Sequence, residues 1–96
     1  MNKADLYQRL RQVYEGRVQG VGFRYRVSTI AKRLPVTGYV RNLPDGSVEV
    51  IVEGIQADIE EFLEQIRSGM GSAITREQQQ RSEAVTGEFT GFSVRM

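Results

Sequence analysis

Apolar residues recur at Phe23, Val27, Ile30, Ala31 and Leu34, the i, i+4, i+7, i+8, i+11 spacing of one helical face. That stripe predicts an amphipathic helix of about three turns. Pro35 has no N–H and disfavours helical backbone at Leu34, so the helix is expected to stop there. A second stripe, Ile59, Phe62, Leu63 and Ile66, follows Ile55 at the same spacing. Asp58, Glu60 and Glu61 sit near its N-terminal end, where the helix dipole favours acids, and Gly69 and Gly71 end it.

Elsewhere the period shortens to two. Leu6 to Glu15 sets Leu10, Val13 and Tyr14 among Arg9, Arg11 and Gln12, a strand with one wet face. Val36 to Asn42 reads as a second strand, and Leu43-Pro44-Asp45-Gly46 has Pro and Gly where a tight turn wants them. Val48, Val50 and Val52 then alternate with Glu49, Ile51 and Glu53, a strand with one cleaner face that Gly54 closes. Ile74 to Ser82 is nearly all polar, so as a strand it is an exposed edge whose register the pattern leaves open. Phe89 to Met96 alternates Phe92 and Val94 with Ser93 and Arg95 and reads as the last strand. The two helices must bury their apolar faces on one face of a sheet. The order β-α-β-β-α-β with right-handed crossovers predicts an α+β, ferredoxin-like sandwich: a four-stranded antiparallel sheet with two helices on one face. That architecture hosts enzymes, RNA readers and regulatory modules alike, so it selects no function.

Composition narrows the chemistry. With 96 residues, 40% hydrophobic and 26% charged, the chain is expected to form one domain, 1–96, around one core. It has no Cys and no His, which removes disulfides, thiolate nucleophiles, Cys-ligated zinc and an imidazole base. The acids offer no metal cluster: Glu49 and Glu53 share a strand face without convergent partners, so no metal and no cofactor are expected. No apolar run is long enough to span a bilayer, and Met1 to Asp5 lacks a signal-peptide core; a cytoplasmic chain with no membrane partner is expected. Net charge is +1, yet residues 1–48 carry nine Lys/Arg against three Asp/Glu, and residues 49–96 four against nine. A basic first half on a near-neutral chain suggests a local anion site and not a nucleic-acid track. Val48 to Val52 also lacks the stacking aromatics of an RNA reader. The short chain with no spare apolar face suggests a monomer.

Two segments carry candidate chemistry. Gly16-Arg17-Val18-Gln19-Gly20-Val21-Gly22 places three glycines immediately before the first helix. Such a loop lets successive backbone N–H groups converge on an oxyanion, with the helix dipole behind them. Arg24, in the helix's first turn, could reach the same anion with its planar fork. A plain strand-to-helix turn followed by a solvated Arg satisfies the same pattern. The loop is neither a Walker A motif nor G-x-G-x-x-G, because Phe23, Arg24 and Tyr25 follow Gly22. Asn42 closes the second strand just before the turn; its amide can donate and accept at once, as positioning a water requires, or it can simply initiate the turn.

Gly16-Arg17-Val18-Gln19-Gly20-Val21-Gly22-Phe23-Arg24 resembles the first signature of the acylphosphatase family, and Gly38-Tyr39-Val40-Arg41-Asn42 with Gly46, Val48 and Gly54 resembles its second. The resemblance is strong from Gly16 to Gly54 and weak beyond Gly69. It implies the ferredoxin-like fold and hydrolysis of the carboxyl-phosphate bond of acyl phosphates without a metal or cofactor. By the same resemblance, the loop around Gln19, Gly20, Val21, Gly22 and Phe23 together with Arg24 holds the phosphoryl group, and Asn42 orients the water. Inorganic phosphate is then the product and a competing ligand. Arg17 and Arg41 are electrostatic helpers or merely solvated. The chain departs from the family at Pro35-Val36, where many members have Gly-Leu, a difference expected to alter stability more than activity. A phosphate-binding regulatory module on the same fold, without turnover, is the alternative, as is a relative of the acylphosphatase-like modules of carbamoyl-phosphate-using maturation enzymes.

Overall fold

The computed structural model describes residues 7–82 and 85–95. In chain order they form β1 (Tyr7–Gly16), α1 (Phe23–Ala31), β2 (Thr37–Asn42), β3 (Val48–Ile55), α2 (Gln56–Met70), a short 3-10 turn (Gly71–Ala73), β4 (Ile74–Ser82) and β5 (Phe92–Arg95). The sheet order is β4-β1-β3-β2-β5. β1 and β3, β1 and β4, and β2 and β3 pair antiparallel, while β5 runs parallel to β2. The sandwich is therefore the expected one with a fifth strand. Both the polar stretch and the C-terminal stretch are strands, and they occupy opposite edges.

Two local expectations need correction. α1 ends at Ala31 and not at Leu34: Arg33 and Leu34 donate to Ile30 O and Ala31 O, 3.1 Å each, a tightened turn that leads into Pro35. The last strand is shorter than Phe89–Met96, because the chain before Phe92 is occupied elsewhere; Met96, like Leu6 at the start of the first strand, lies outside the described residues. β3 keeps its cleaner face of valines on the core, and its other face is buried as well, its residues from Val48 to Gly54 all being buried.

β4 holds its place by polar side chains instead of apolar ones. Its register on β1 sets Gln79 beside Gln12 and Glu77 beside Tyr14. Gln12 donates to Glu77 at 2.7 Å and accepts from Gln79 at 3.1 Å. Arg81 reaches Gln8 at 2.9 Å. These bonds replace the hydrophobic pattern that would ordinarily set an edge register.

The core lies between the helices and one sheet face. Val27 and Ala31 of α1 and Ile59, Phe62, Leu63 and Ile66 of α2 pack on Leu10, Tyr14, Val40, Val48, Val50, Val52 and Phe92. Edge-on ring contacts join the layers: Tyr14 to Phe23 at 5.4 Å and Phe62 to Phe92 at 5.6 Å.

Two carboxylates organise the opposite face. Glu49 is only 4% exposed and receives Arg11 Nε and Arg41 Nε at 2.6 Å each, with the Tyr39 hydroxyl at 3.2 Å. It thus clamps β1, β3 and β2 through side chains that lie across it. Glu53 receives Arg9 at 3.2 Å, Thr86 N at 3.0 Å and Gly87 N at 3.1 Å. This draws the segment before β5 across the outer face, where Phe89 meets Tyr39 edge-on at 5.9 Å. The crossing carries β5 to the β2 edge.

Burial pushes the Glu49 carboxyl up, but the hydrogen bonds and charges of Arg11 and Arg41 more than offset it and leave it below the ordinary glutamate value. A depressed carboxyl stabilises the fold fully above the unfolded value, here above about pH 5. That contribution is lost as the pH falls through the ordinary glutamate range and below. Glu49→Ala leaves Arg11 and Arg41 facing one another and should cost about 2 kcal/mol near neutrality. Thermal melts from neutral to acid pH check this: the gap between native and variant closes on the acid side.

Candidate active site

β1 and β3 set the stage for the glycine loop. The loop leaves the C-terminal end of β1, where Arg17 N donates to Ala73 O at 2.9 Å, and enters α1 through Gly22. Gly20 (φ 74°) and Gly22 (φ 81°) both lie in the left-handed region, which L side chains rarely adopt. A methyl at either would meet nothing within 4 Å, so backbone conformation and not space selects glycine there. Among the described residues, the N–H groups of Gly20, Val21, Gly22, Phe23 and Arg24 donate to no backbone carbonyl; the helix ladder begins with Arg26 N on Gly22 O at 3.1 Å. The first turn of α1 carries no acid. Free donors, the positive end of a helix and no nearby carboxylate on the helix are the features that a cradle for an anion requires.

Gln19 has a different part from the other loop residues. Its side-chain Nε2 donates to Leu43 O and to Ser47 O, 2.8 Å each. Both acceptors belong to the β2–β3 turn, whose own closure is Leu43 N to Ser47 O at 2.9 Å. Asp45 accepts from Ser47 N at 3.0 Å and from its hydroxyl; these bonds, the hydroxyl's first, hold the Asp45 carboxyl below its ordinary value. The amide of Gln19 thus fixes the glycine loop to the segment that directly follows Asn42.

Asn42 lies at the C-terminal end of β2, paired with Val48. Its Oδ1 is buried and has no hydrogen-bond partner among the described residues. A buried amide oxygen without a donor is unstable unless water or a ligand supplies one. Arg24 comes to the same end of the sheet by another route: its Nη1 donates to Arg95 O at 3.1 Å. The parallel register pairs Arg95 with Arg41, so the carbonyl that holds Arg24 belongs to the residue beside Asn42's neighbour. Loop, Arg24 and Asn42 therefore gather where β1, β2 and β5 end and α1 begins.

Arg41 is committed to Glu49 on the outer face, whereas Arg17 has no side-chain partner among the described residues. No three His, Cys, Asp or Glu side chains gather as a metal-ligand set among the described residues. Sequence reasoning missed Gln19's side-chain role and the anchoring carbonyl of Arg95. The first could have been sought in a long amide inside a glycine loop. The second had no signal, since every residue carries a carbonyl and only the parallel pairing selects this one.

Gln19→Ala removes two hydrogen bonds to buried-side carbonyls and should lower stability by about 1–2 kcal/mol. Gly22→Ala should cost about 1–2 kcal/mol through its left-handed backbone alone. Chemical denaturation of both variants measures the costs, and phosphate-induced protection against it reports whether the cradle survives. The loop geometry predicts weakened protection in each.

Comparison with known proteins places the chain and its fold in a family. The family model described as acylphosphatase matches residues 10–94. An acylphosphatase of Caldivirga maquilingensis is 42% identical over 88 residues, 91% of this chain and 93% of that protein. One from Methylococcus capsulatus is 42% identical over 87 residues, 91% of this chain and 95% of its own. Among solved structures, an acylphosphatase from Bacillus subtilis superposes with a TM-score of 0.85 at 33% identity, covering 93% of this chain and 99% of that one. With a family model over residues 10–94 and such relatives matched over more than nine-tenths of both chains, the chain belongs to the acylphosphatase family.

Proposed function

We propose that this chain, an acyl-phosphate hydrolase by family, holds the phosphoryl group with the N–H groups of Gly20 to Phe23, the adjoining backbone of Gln19, and the guanidinium of Arg24, while Asn42 orients the attacking water. The observation that carries this reading is the buried, unpartnered Oδ1 of Asn42 at the sheet end where Arg24 is tethered. That oxygen accepts a hydrogen from the water and aims its lone pair at phosphorus. The water's oxygen forms the new P–O bond as the bond from phosphorus to the acyl oxygen breaks, and a carboxylate departs. A carboxylate is a good leaving group, so the protein's share is positioning and stabilisation of charge on the phosphoryl oxygens. The water's proton passes to a phosphoryl oxygen of the substrate, which accounts for a site built without histidine. The products are a carboxylate and inorganic phosphate, and phosphate competes with substrate for the same donors.

The same reading makes residues 1–96 one functional unit that acts as a cytoplasmic monomer without nucleic-acid or membrane partners. No helix among the described residues is long and apolar enough to cross a membrane, and the chain has no cysteine.

Hydrolysis of benzoyl phosphate, followed by ultraviolet absorbance with a chelator present, tests the assignment. Loss of one preorganised donor costs about 10²–10³ in rate. Arg24→Ala removes charge as well as donors and should exceed that loss, with a higher KM. Arg24→Lys should recover little, because a point ammonium cannot replace the fork. Asn42→Ala should lower kcat with a smaller change in KM. Full activity in Asn42→Asp would refute the water-orienting role. A native chain no faster than buffer, yet stabilised by phosphate, would identify a binding module instead.

A further inference from the structure

A cleft of about 300 Å³ opens beside the glycine loop, lined by Arg17, Val21, Phe23, Arg26, Met70 and Ser72, among others. It includes neither Arg24 nor Asn42. Its far wall is the chain leaving α2 toward β4, and β4 and β2 lie on opposite sides of β1 in the sheet. The loop that leaves β1 is therefore flanked by Asn42 on the β2 side and by this cleft on the β4 side.

In-line displacement gives that placement a meaning. The attacking and leaving oxygens lie on opposite sides of phosphorus. With the water at Asn42, the acyl group departs toward the β4 side, into the cleft. Val21, 60% exposed at the loop's tip, supplies apolar surface there for the carbon skeleton.

The polar lining is cationic. Arg26 reaches across to Gly69 O at 3.1 Å with one nitrogen and keeps its other donors. Arg17 is fixed at its backbone on Ala73 O, and its side chain has no partner among the described residues. Neither makes an ion pair among the described residues. The carboxylates of the neighbouring elements are already engaged: Glu15 with Arg76 at 3.6 Å, and Glu64 and Glu77 with Arg67 at 3.4 and 3.3 Å. Two unpaired guanidinium groups beside an apolar wall suit a second negative charge at the distal end of the acyl group.

We propose that Arg17 and Arg26 form an acyl-group subsite that selects acyl phosphates carrying a second anionic group, a carboxylate or phosphate a few bonds beyond the acyl carbonyl. This rests on the phosphoryl placement proposed above.

Two aromatic probes separate charge from shape: 4-carboxybenzoyl phosphate and its neutral isostere 4-carbamoylbenzoyl phosphate. The readout is the ratio of their kcat/KM values. In the native chain the ratio should favour the carboxylate and shrink as salt is raised. Arg26→Gln and Arg17→Gln should each lower it roughly three- to ten-fold, the scale of a partly screened ion pair. Arg26→Lys should retain most of it. Arg33→Gln, one turn and more away along the groove between the helices, should leave the ratio in place. A ratio unchanged by salt and by both glutamine variants, with both probes hydrolysed, overturns the subsite alone. Failure of the native chain to hydrolyse either probe overturns the hydrolytic site and the subsite together.

Discussion

Gln19 spends its side-chain amide on two carbonyls of the β2–β3 turn, and those two hydrogen bonds set the glycine loop against the end of β2. A glycine-rich loop is entropically costly to hold in one shape, and the left-handed residues Gly20 and Gly22 have no side chains with which to hold it. The tether supplies the missing restraint from a neighbouring element. It also sets the loop's position relative to the end of β2, because Leu43 follows Asn42 directly. The proposed phosphoryl cradle and the proposed water-orienting amide, which come from separate parts of the chain, are thereby held in one frame. Preorganisation of this kind is what lets a few neutral donors contribute to catalysis.

Charge is sorted across the sheet to the same end. Glu49 and Glu53 are drawn into the outer face and neutralised by Arg9, Arg11 and Arg41. On the loop and the first two turns of α1, Arg17, Arg24 and Arg26 make no ion pairs among the described residues. The net +6 of the first half is thus not spread evenly: its strand arginines serve structure, and its loop and helix arginines remain available to an anion. A carboxylate near the proposed cradle would repel the phosphoryl oxygens directly; Glu49 and Glu53 sit on the far side of a layer of valines, and Glu77 on the helix side is paired with Arg67.

Much of this was legible beforehand. The helical stripes of α1 and α2 and the alternation of valines in β3 are periodic, and burial requires that periodicity, so element order and layer followed. The glycine loop, Arg24 and Asn42 were legible as residue types at loop and strand ends, and the two motif resemblances tied them together. What escaped depended on partners distant in sequence. The burial of Glu49 needs Arg11 and Arg41 from two other strands, and the alternation of carboxylates with valines names neither partner. The fifth strand's parallel edge depends on Glu53 capturing Thr86 and Gly87, hydrogen bonds to backbone that no local pattern encodes. The end of α1 moved because a proline's influence reaches back through a tightened turn, further than its steric exclusion of Leu34 alone.

The chain's lack of histidine is compatible with an acyl-phosphate substrate. General-base catalysis helps most where the nucleophile or leaving group needs a proton moved in the transition state. An acyl phosphate departs as a carboxylate that needs no protonation, and its phosphoryl oxygens can accept the water's proton. The remaining work is geometric and electrostatic: hold the phosphoryl group, hold a water opposite the leaving oxygen, and keep carboxylates away. In the proposed site, backbone N–H groups, one arginine braced on a strand-end carbonyl and one amide oxygen with an open lone pair meet those needs, and each is placed by an element whose position the core and the Glu49 clamp already determine.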